Sequence, residues 1–561
     1  MSKKVFTALL VLLALFVLIR LPGIDLPYHQ DEWKNVAASH DIESAGKFFA
    51  HPPFQQMMYV FANEVLGDDG MRFLPLIFAV GSAILLFLLL YDLYVSKYVA
   101  TWGSALYLLC FYSVWGSLMV DVDGSVLPFF FLLAFYTYNR FVSTTGHVKW
   151  RWFTLVVLAV LFGFLFKLSF ILVVGALVID YFWHERMKLS LRRREGWIYL
   201  AKMMSTVAGF MIFYVLILLL IQKIYPQFSI ELMLGHAGQH GEESKNWIQI
   251  PVQAIKSIFY LSPLLIVPLL WLNKESWIKM RVFALYLIVG FIFYFIVFDF
   301  SRAALDKYLM FVIVPLSALA GAALANILHS RIDWKNDWKA IVIAAVGSVA
   351  LLLVNFLPHE VLPLYPKTLW FSKFLTGDWI MLNPFHGGSG PLGFYVSFLF
   401  IALTFIISFL AVAVSLWKKT WRKGAAIVVV SVGILYNGIF IEELLFGTMN
   451  GSAPEVLANS IKYIRDNEDI DKVLTYNDIG AGPLSQLSKY AGRIYAIPAS
   501  EEGYRKKFSE HIDQGGHFLV VEVPLLYDGF YSDFFSKCDT LFETRSGVIP
   551  GRVYSCKHPN P

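Results

Sequence analysis

Residues 28–54 read YHQDEWKNVAASHDIESAGKFFAHPPF and form a polar segment between two strongly apolar runs. Asp31 and Glu32 lie near its start, and His51-Pro52-Pro53 lies near its end. An acidic pair at the mouth of a membrane span is costly unless it faces water, a cation or a substrate, so the pair predicts a functional site. The alternative is that the same two carboxylates form a solvated helix cap.

The two flanking runs belong to a chain with the composition of a polytopic membrane protein. Of its 561 residues, 57% are hydrophobic and 16% are charged, whereas about a quarter of the residues in soluble domains are charged. Apolar windows of bilayer length predict about thirteen transmembrane helices. These windows are 5–21, 73–95, 98–120, 126–141, 153–166, 168–182, 197–221, 255–271, 282–298, 308–328, 340–357, 393–417 and 425–446.

The charges of the connections predict the orientation in the membrane. Basic residues concentrate in alternate connections, as at 186–194 and 418–423, which places the N-terminus in the cytoplasm. Because the net charge of +5 is distributed in this way, it gives no indication of nucleic-acid binding. Lys167 separates the short fifth and sixth helices, which we keep apart because merging them would move the basic residues at 192–194 outside. The outer face then holds the tail and residues 28–70, 121–125, 223–253, 299–307 and 358–392.

The tail predicts a second domain. Residues 1–446 form the transmembrane domain, and residues 447–561 alternate a helical pattern with short apolar strands, which is typical of a small extracytoplasmic α/β domain. The helix is expected at 455–465 and the strands at 473–476, 493–497, 518–523, 540–544 and 552–556. Cys538 and Cys556 can form a disulfide if the tail faces an oxidising compartment. The glycine-rich residues 477–482 lack the spacing of a nucleotide-binding motif.

A second acidic feature is Asp121-Val122-Asp123-Gly124, between the third and fourth predicted helices. On the predicted topology it shares a face with Asp31. A carboxylate there can act as a general base for an attacking acceptor, and others can orient the acceptor or hold a cation. The alternative is that Asp121 and Asp123 cap the fourth helix. The residues do not decide which of the two is functional.

Basic and histidine side chains complete the candidate site. Lys167 in its apolar hairpin, together with Arg302, Lys307 and Tyr308 at the outer entrance of the tenth helix, provides what binding of a lipid phosphate needs. Snorkelling of the lysine to the interface is the alternative for Lys167.

His236 and His240 have the spacing of two metal ligands on one helical face. The sequence therefore leaves open whether the protein binds a divalent cation. Gly235, Gly238 and Gly241 argue against a helix there. The segment 357–391, rich in Pro, Trp and Tyr, predicts an interfacial cover over a cavity.

These motifs resemble those of the GT-C class of polytopic glycosyltransferases, in particular its protein O-mannosyltransferase and lipid A aminoarabinose transferase branch. The resemblance is carried by the R-L-P-G turn that ends the first apolar run, the Asp31-Glu32 pair and the His-Pro-Pro motif. Further matches are Arg72-Phe-Leu-Pro75, the acidic loop, Lys167 and the Lys307-Tyr308-Leu309 run with Pro315. Phe54-Gln55-Gln56 departs from the pattern and leaves the acceptor class open.

The resemblance implies transfer of a hexose or pentose from a polyprenyl-phosphate carrier to a protein, lipid or glycan acceptor, with inversion at the anomeric carbon. Asp31, with Glu32 beside it, is then the general base or acceptor-positioning group, and Asp121 or Asp123 is the second acidic motif. Lys167, Arg302, Lys307, Tyr308 and His51 are then expected near the donor phosphate. A transporter or flippase for a lipid-linked or anionic substrate, and a scaffold that uses the tail for binding, are the alternatives.

Overall fold

The computed structural model describes residues 3–29, 31–40, 51–184, 194–239, 247, 249–297, 307–329, 334–362, 367–385, 392–476, 479–485, 494–497, 516–522 and 533–556. Most of these residues are helical. The helices are α1 (Lys3–Arg20), α2 (Asp31–His40), α3 (Pro53–Leu66), α4 (Phe73–Tyr94), α5 (Lys97–Leu109), α6 (Phe111–Leu118), α7 (Val126–Ser143), α8 (His147–Phe166), α9 (Ile171–His184), α10 (Arg194–Ile224), α11 (Ile230–Gln239), α12 (Gln249–Ile266), α13 (Lys274–Lys279), α14 (Arg281–Ile292), α15 (Ile313–Ile327), α16 (Trp334–Val354), α17 (Lys367–Thr376), α18 (Phe398–Trp417), α19 (Arg422–Leu445), α20 (Ala453–Asp466) and α21 (Ala481–Ser485).

Within the described ranges, nine helices are long and apolar enough to cross a membrane. They are Lys3–Gly23, Asp68–Tyr94, Val126–Ser143, His147–Phe166, Gly196–Ile224, Tyr308–Ile327, Asp337–Val354, Phe398–Trp417 and Lys419–Leu445. Three shorter apolar helices also occur, at Leu168–His184, Ser257–Trp271 and Arg281–Val297. The predicted polytopic helical fold is therefore confirmed, whereas the number thirteen stays a prediction.

The expected helix at 98–120 is wrong as a single element, because it is broken into α5 and α6 at Cys110, whose backbone is extended. A break leaves the last carbonyl groups of a helix without their usual partners. The guanidinium of Arg20 supplies one donor, since it hydrogen-bonds the carbonyl oxygen of Leu108 (3.3 Å) and the hydroxyl of Ser113 (3.2 Å). The buried arginine thus stabilises the break that shortens both helices.

The chain forms two compact units. The first comprises Met1–Arg20, Asn35–Tyr260 and Pro268–His329. Helix α15 belongs to the most buried of the candidate membrane spans in the described residues, and it packs on α5 where Gly321 meets Gly103. A Cβ on Gly321 would lie 2.4 Å from Gly103 Cα, so only glycine allows this backbone approach.

The second unit comprises Leu21–Lys34, Leu261–Val267 and Ser330–Pro561. In it α19 packs against α16 and α18. The interfacial segment expected at 357–391 contains α17 and two strands of a small sheet, β1 (Glu360–Val361) and β2 (Met381–Phe385), and β3 (Phe394–Ser397) completes that sheet. This sheet was not predicted, because its strands are short and lie among Pro and aromatic residues.

The C-terminal part of the second unit is an α/β structure. Its strands are β4 (Val473–Tyr476), β5 (Ile494–Ile497), β6 (Gly516–Val521), β7 (Asp539–Ser546) and β8 (Ile549–Cys556), in the order β5-β4-β6-β8-β7. The first three are parallel, and β8 pairs antiparallel with β6 and β7. Helix α20 begins at a cap in which Ser452 Oγ accepts from Glu455 N (3.3 Å), and it packs on β7 and β8. Cys538 and Cys556 form a disulfide.

The expected boundary between residues 446 and 447 stays a prediction. The expectation that the glycines around His236 prevent a helix is wrong, because α11 runs through Gly235 and Gly238. No atom lies within 4 Å of the Cβ position of either glycine, so neither glycine serves a close contact.

Candidate active site

The acidic loop between α6 and α7 buries both of its carboxylates. Asp121 is 4% exposed and Asp123 is 6% exposed. The loop folds back on α6, because a Cβ on Gly124 would lie 2.3 Å from the carbonyl oxygen of Gly116. Val122 N donates to Asp121 Oδ1 (2.6 Å), which fixes the first carboxylate to its own backbone.

Three side chains hold the segment that leads into this loop. Arg20 Nε donates to Ser117 Oγ (2.7 Å), Arg72 Nη1 donates to the Leu118 carbonyl (2.5 Å), and Asn35 Nδ2 donates to the Val120 carbonyl (2.6 Å). Arg20 and Arg72 are completely buried. A buried arginine is costly unless its donors are used, so these contacts fix where the loop begins. Both arginines lie in the R-L-P-G and R-F-L-P motifs, but the sequence did not indicate what they contact.

Two lysines from distant parts of the chain reach the two carboxylates. Lys167 follows α8 in an extended conformation, and its Nζ lies 2.5 Å from Asp123 Oδ2. Lys307 precedes the 3₁₀ turn Tyr308–Val312, and its Nζ lies 3.0 Å from Asp121 Oδ2. Each lysine side chain is 12% exposed. The structure therefore brings four of the predicted site residues into one buried cluster of two ion pairs.

The ring of Tyr308 lies near both lysines. The Nζ atoms of Lys167 and Lys307 are 5.1 and 5.2 Å from the centre of its ring, a distance at which an aromatic face attracts cations. A small cavity of about 20 Å³ opens beside the cluster, which is room for roughly one water molecule. Its lining includes Asp123, Lys307, Tyr308, Ser169, Tyr286 and Tyr294.

His51 lies near the lysine–aspartate cluster and interacts with its charges. Its ring makes an edge contact with the ring of His236, with 5.4 Å between the centroids. Burial and the positive charge of Lys167 lower the pKa of His51 to about 3, so its imidazole is neutral at physiological pH. Burial also raises the pKa of Asp123, and Lys167 opposes that rise.

The histidine pair does not by itself make a metal site. Structural and catalytic zinc sites use three or four protein ligands. Within the described ranges, no group of three or more His, Cys, Asp or Glu residues is placed to hold a metal ion. The predicted partner of His236, His240, lies outside the described residues, so their joint metal site stays a prediction.

The first acidic pair begins α2. Asp31 Oδ1 lies 3.0 Å from Lys34 Nζ, and the Asp31 side chain is 34% exposed. Glu32 is completely buried, and its Oε2 accepts from His29 N (3.3 Å) while Glu32 N donates back to His29 O (3.1 Å). The Glu32 side chain satisfies a backbone N–H just before the helix, as the glutamate of a capping box does, whereas the second bond is an ordinary backbone turn. Glu32 thus caps the helix, but as a buried residue rather than a solvated one.

Arg302 lies outside the described residues, so its predicted phosphate contact stays a prediction. The roles expected for Asp31, Glu32, Asp121, Asp123, Lys167, Lys307, Tyr308 and His51 also stay predictions at this point.

Two solved structures have a fold similar to that of this chain. The chain aligns with the crystal structure of ArnT from Cupriavidus metallidurans in the apo state, with a TM-score of 0.54 and 14% sequence identity over 98% of each chain. It aligns equally well with ArnT from the same organism bound to undecaprenyl phosphate, over 100% of each chain at 14% identity and a TM-score of 0.54. A sequence comparison with curated proteins finds no match.

A family model gives the second finding. Residues 67–228 match the model described as dolichyl-phosphate-mannose-protein mannosyltransferase. Over these residues the chain is similar to that family, and over its whole length it shares the fold of the ArnT structures. The resemblance expected from the sequence is therefore confirmed. The matched region contains Arg72, Asp121, Asp123 and Lys167, whereas Asp31 and Lys307 lie outside it.

Proposed function

We propose that this protein transfers a sugar from a polyprenyl-phosphate carrier to an acceptor at the outer face of the membrane, by a single displacement with inversion. The observation that carries the proposal is the convergence of Lys167 and Lys307 on Tyr308, each lysine held by a buried carboxylate. Two fixed ammonium groups in a poorly solvated site suit a lipid-linked phosphate, because they are charged donors with little freedom to move.

The comparisons support this choice of donor. The name of the matched family includes the donor dolichyl-phosphate-mannose, and one structure of similar fold contains bound undecaprenyl phosphate. Both comparisons involve a lipid phosphate carrier. The matched folds and the lysine cluster therefore favour the same chemical class of donor.

In the proposed step, an acceptor hydroxyl or amine attacks the anomeric carbon as the bond from that carbon to the phosphate oxygen breaks. The carrier leaves as a phosphate monoester, which gains one negative charge. Lys167 and Lys307 stabilise this developing charge. The Asp31 carboxylate takes the proton that the acceptor loses.

Asp121 and Asp123 have a supporting part in this proposal. Each fixes one ammonium group by an ion pair, and each offsets its charge while the donor is absent. When the phosphate enters, the lysines exchange part of this contact for the phosphate oxygens. The Tyr308 ring lies within about 5 Å of both ammonium groups and attracts them.

The outer-face placement rests on the orientation of the basic connections and on the disulfide. Cys538 and Cys556 pair in the C-terminal α/β structure, and disulfides persist in oxidising compartments. The C-terminal residues are thus proposed to be extracytoplasmic, with the N-terminus in the cytoplasm.

The test is to incubate the purified protein with a panel of polyprenyl-phosphate sugars and candidate acceptors, and to identify products by mass spectrometry. A glycosylated acceptor is expected. Asp31→Asn should lower kcat by at least about a hundredfold, since general-base catalysis contributes factors of this size. Asp25→Asn, at an exposed position just before the polar segment, is the matched control and should keep wild-type turnover. Substrate uptake without any glycosidic product would contradict the proposal.

A further inference from the structure

A second polar cluster lies in the first unit at the far ends of the helices that carry the candidate site. Asp180 in α9 is 4% exposed and accepts a hydrogen bond from the hydroxyl of Tyr138 in α7 (2.7 Å). Arg281, the first residue of α14, forms an ion pair with Asp180 through Nε. The mechanism proposed above uses none of these residues.

This cluster is far from the lysines that hold the proposed donor phosphate. Asp123 precedes α7 and Tyr138 lies near its other end, while Lys167 precedes α9 and Asp180 lies near its other end. Tyr138 follows Asp123 by 15 residues and Asp180 follows Lys167 by 13 residues, which is about 20 Å at 1.5 Å of helical rise per residue. The two clusters therefore lie toward opposite ends of these helices.

A cavity of about 730 Å³ opens next to Arg281. It is lined by Trp183, Lys274, Trp277, Ile278 and Arg281. The Arg281 guanidinium carbon is 6.0 Å from the centre of the Trp183 ring. Trp183 is 54% exposed and Trp277 is 44% exposed. Exposed tryptophans beside cationic side chains at the end of a membrane helix are typical of the headgroup level.

The charges around this cavity favour an anion. Among the described residues, the three cationic side chains of Lys274, Lys279 and Arg281 outnumber the two carboxylates of Asp180 and Glu275. Lys279 is paired with Glu275 (2.8 Å), and Arg281 is held by Asp180, so Lys274 carries the excess charge. The Asp180 contact uses Arg281 Nε, which leaves the two terminal nitrogens of the guanidinium available for a bidentate contact with phosphate.

We propose that this cavity binds the headgroup of an anionic phospholipid from the leaflet opposite to the candidate active site. Arg281 and Lys274 contact the phosphate, the two indole rings flank the headgroup and glycerol region, and Ile278 contacts the start of an acyl chain. Basic pockets between transmembrane helices bind the headgroups of anionic lipids in other membrane proteins. The buried Asp180 and Tyr138 are positioning residues, because they fix the guanidinium without contacting the lipid.

The test measures lipid binding to the purified full-length protein by native mass spectrometry, with phosphatidylglycerol and phosphatidylcholine of the same acyl chains as probes. Wild type is expected to retain phosphatidylglycerol in preference to phosphatidylcholine. Lys274→Gln should lower the apparent affinity for phosphatidylglycerol by about tenfold, the size expected for one charge-assisted contact. Arg281→Lys should lower this affinity by a similar factor. A lysine keeps the positive charge near Asp180 but lacks the planar guanidinium that can contact a phosphate through two N–H groups.

Lys97→Gln is the matched control, since Lys97 is an exposed lysine at the start of α5 and does not line the cavity. Equal loss in Lys97→Gln and Lys274→Gln would show a diffuse effect of charge and overturn the proposal. Equal binding of the two lipids by wild type would overturn it as well. Displacement of the lipid by inorganic phosphate at equal concentration would assign the site to a free anion instead. None of these outcomes bears on sugar transfer, so the two proposals are tested separately.

Discussion

At the scale of single residues, the chemistry depends on two lysine–aspartate pairs that are almost closed to solvent. Lys307 Nζ lies 3.0 Å from Asp121 Oδ2, with both side chains largely buried. Removing one member of a buried ion pair costs about 3–5 kcal/mol, because it leaves the other charge uncompensated. Removing both charges avoids this cost. A comparison of single and double variants can therefore separate the contribution of Lys307 to stability from its contribution to function.

We expect Lys307→Gln to lower the thermal unfolding midpoint and to raise the apparent KM for the lipid-linked donor. The double variant Asp121→Asn/Lys307→Gln should recover most of the stability, but its KM should stay at least about tenfold above wild type, because the contact with phosphate is still missing. Steady-state kinetics and thermal unfolding measure the two effects. Recovery of a normal KM in the double variant would mean that Lys307 serves stability alone.

The sequence indicated which residues belong together here, but not how they pair. Asp121, Asp123, Lys167 and Lys307 were predicted because charged residues beside apolar runs need a function or a partner. Pairing depends on which helices are neighbours, and a single sequence does not specify that. Glu32 shows the same limit: its spacing of three residues allows its side chain to accept from His29 N, yet its complete burial follows from tertiary packing.

At the scale of elements, the acidic loop is placed by a close backbone contact between Gly124 and Gly116 and by the donors of Arg72 and Asn35. The carbonyl oxygen of Gly116 is backbone and cannot rotate away, so a methyl group at Gly124 requires the whole loop to move. Because Asp121 and Asp123 lie in this loop, their pairing with the lysines should change with it.

We therefore expect Gly124→Ala to reduce turnover by at least about tenfold, since shifts of about 1 Å in a positioned site have effects of this order or larger. Gly209→Ala is the matched control, because Gly209 lies inside helix α10 with no atom within 4 Å of its Cβ position. The control should be neutral or slightly stabilising. Similar turnover in both variants would show that the loop tolerates displacement.

The lowered pKa of His51 predicts that the stability of the fold depends on pH. The pKa of His51 is lowered to about 3 in the folded protein by burial and by Lys167, whereas an unfolded histidine has a pKa of about 6.5. The stabilisation linked to this residue is therefore complete above pH of about 6.5 and is lost as the pH falls toward 3. Protonation of the unfolded chain drives this loss.

His51→Gln removes the titrating group, so we expect its unfolding midpoint to fall less than that of wild type between pH 7 and about pH 5. His147→Gln, an exposed position at the start of α8, is the control and should follow wild type. Parallel pH profiles for wild type and His51→Gln would contradict the assignment of a buried neutral imidazole.

Element boundaries were predictable where an apolar run was long and unbroken, as in α4 and α19. They were not predictable where a tertiary contact decides the local structure. The break at Cys110 depends on Arg20, which is 90 residues away in sequence. Strand β1 has two residues, and its pairing with β2 across α17 leaves no periodic pattern to find.

At the scale of the whole molecule, the orientation of the chain remains to be tested. Leu541 lies on β7 with 40% of its side chain exposed, and Lys97 is exposed at the start of α5. In intact cells, a membrane-impermeant maleimide should label Leu541→Cys but not Lys97→Cys. Permeabilised cells should give label at both positions. The reverse pattern in intact cells would place the C-terminal residues in the cytoplasm.

The fold class could be predicted from composition and apolar periodicity, and the C-terminal strands were predicted close to their observed positions. The pairing of Cys538 and Cys556, the two cysteines of the tail, was left open by the sequence because it depends on the compartment. The polar cluster of Asp180, Tyr138 and Arg281 was not predicted. Its members are separated by up to 143 residues in sequence, and each alone resembles an ordinary residue at a membrane interface.

The central claim is that Lys167 and Lys307 hold the phosphate of a lipid carrier. Its most direct test is the equilibrium binding of polyprenyl phosphate to wild type and to a variant in which both ion pairs are neutralised, Lys167→Gln/Asp123→Asn/Lys307→Gln/Asp121→Asn. The account predicts that the variant folds and loses at least about a hundredfold in affinity, the value of two charge-assisted contacts. Equal affinity of a folded variant and wild type would contradict it.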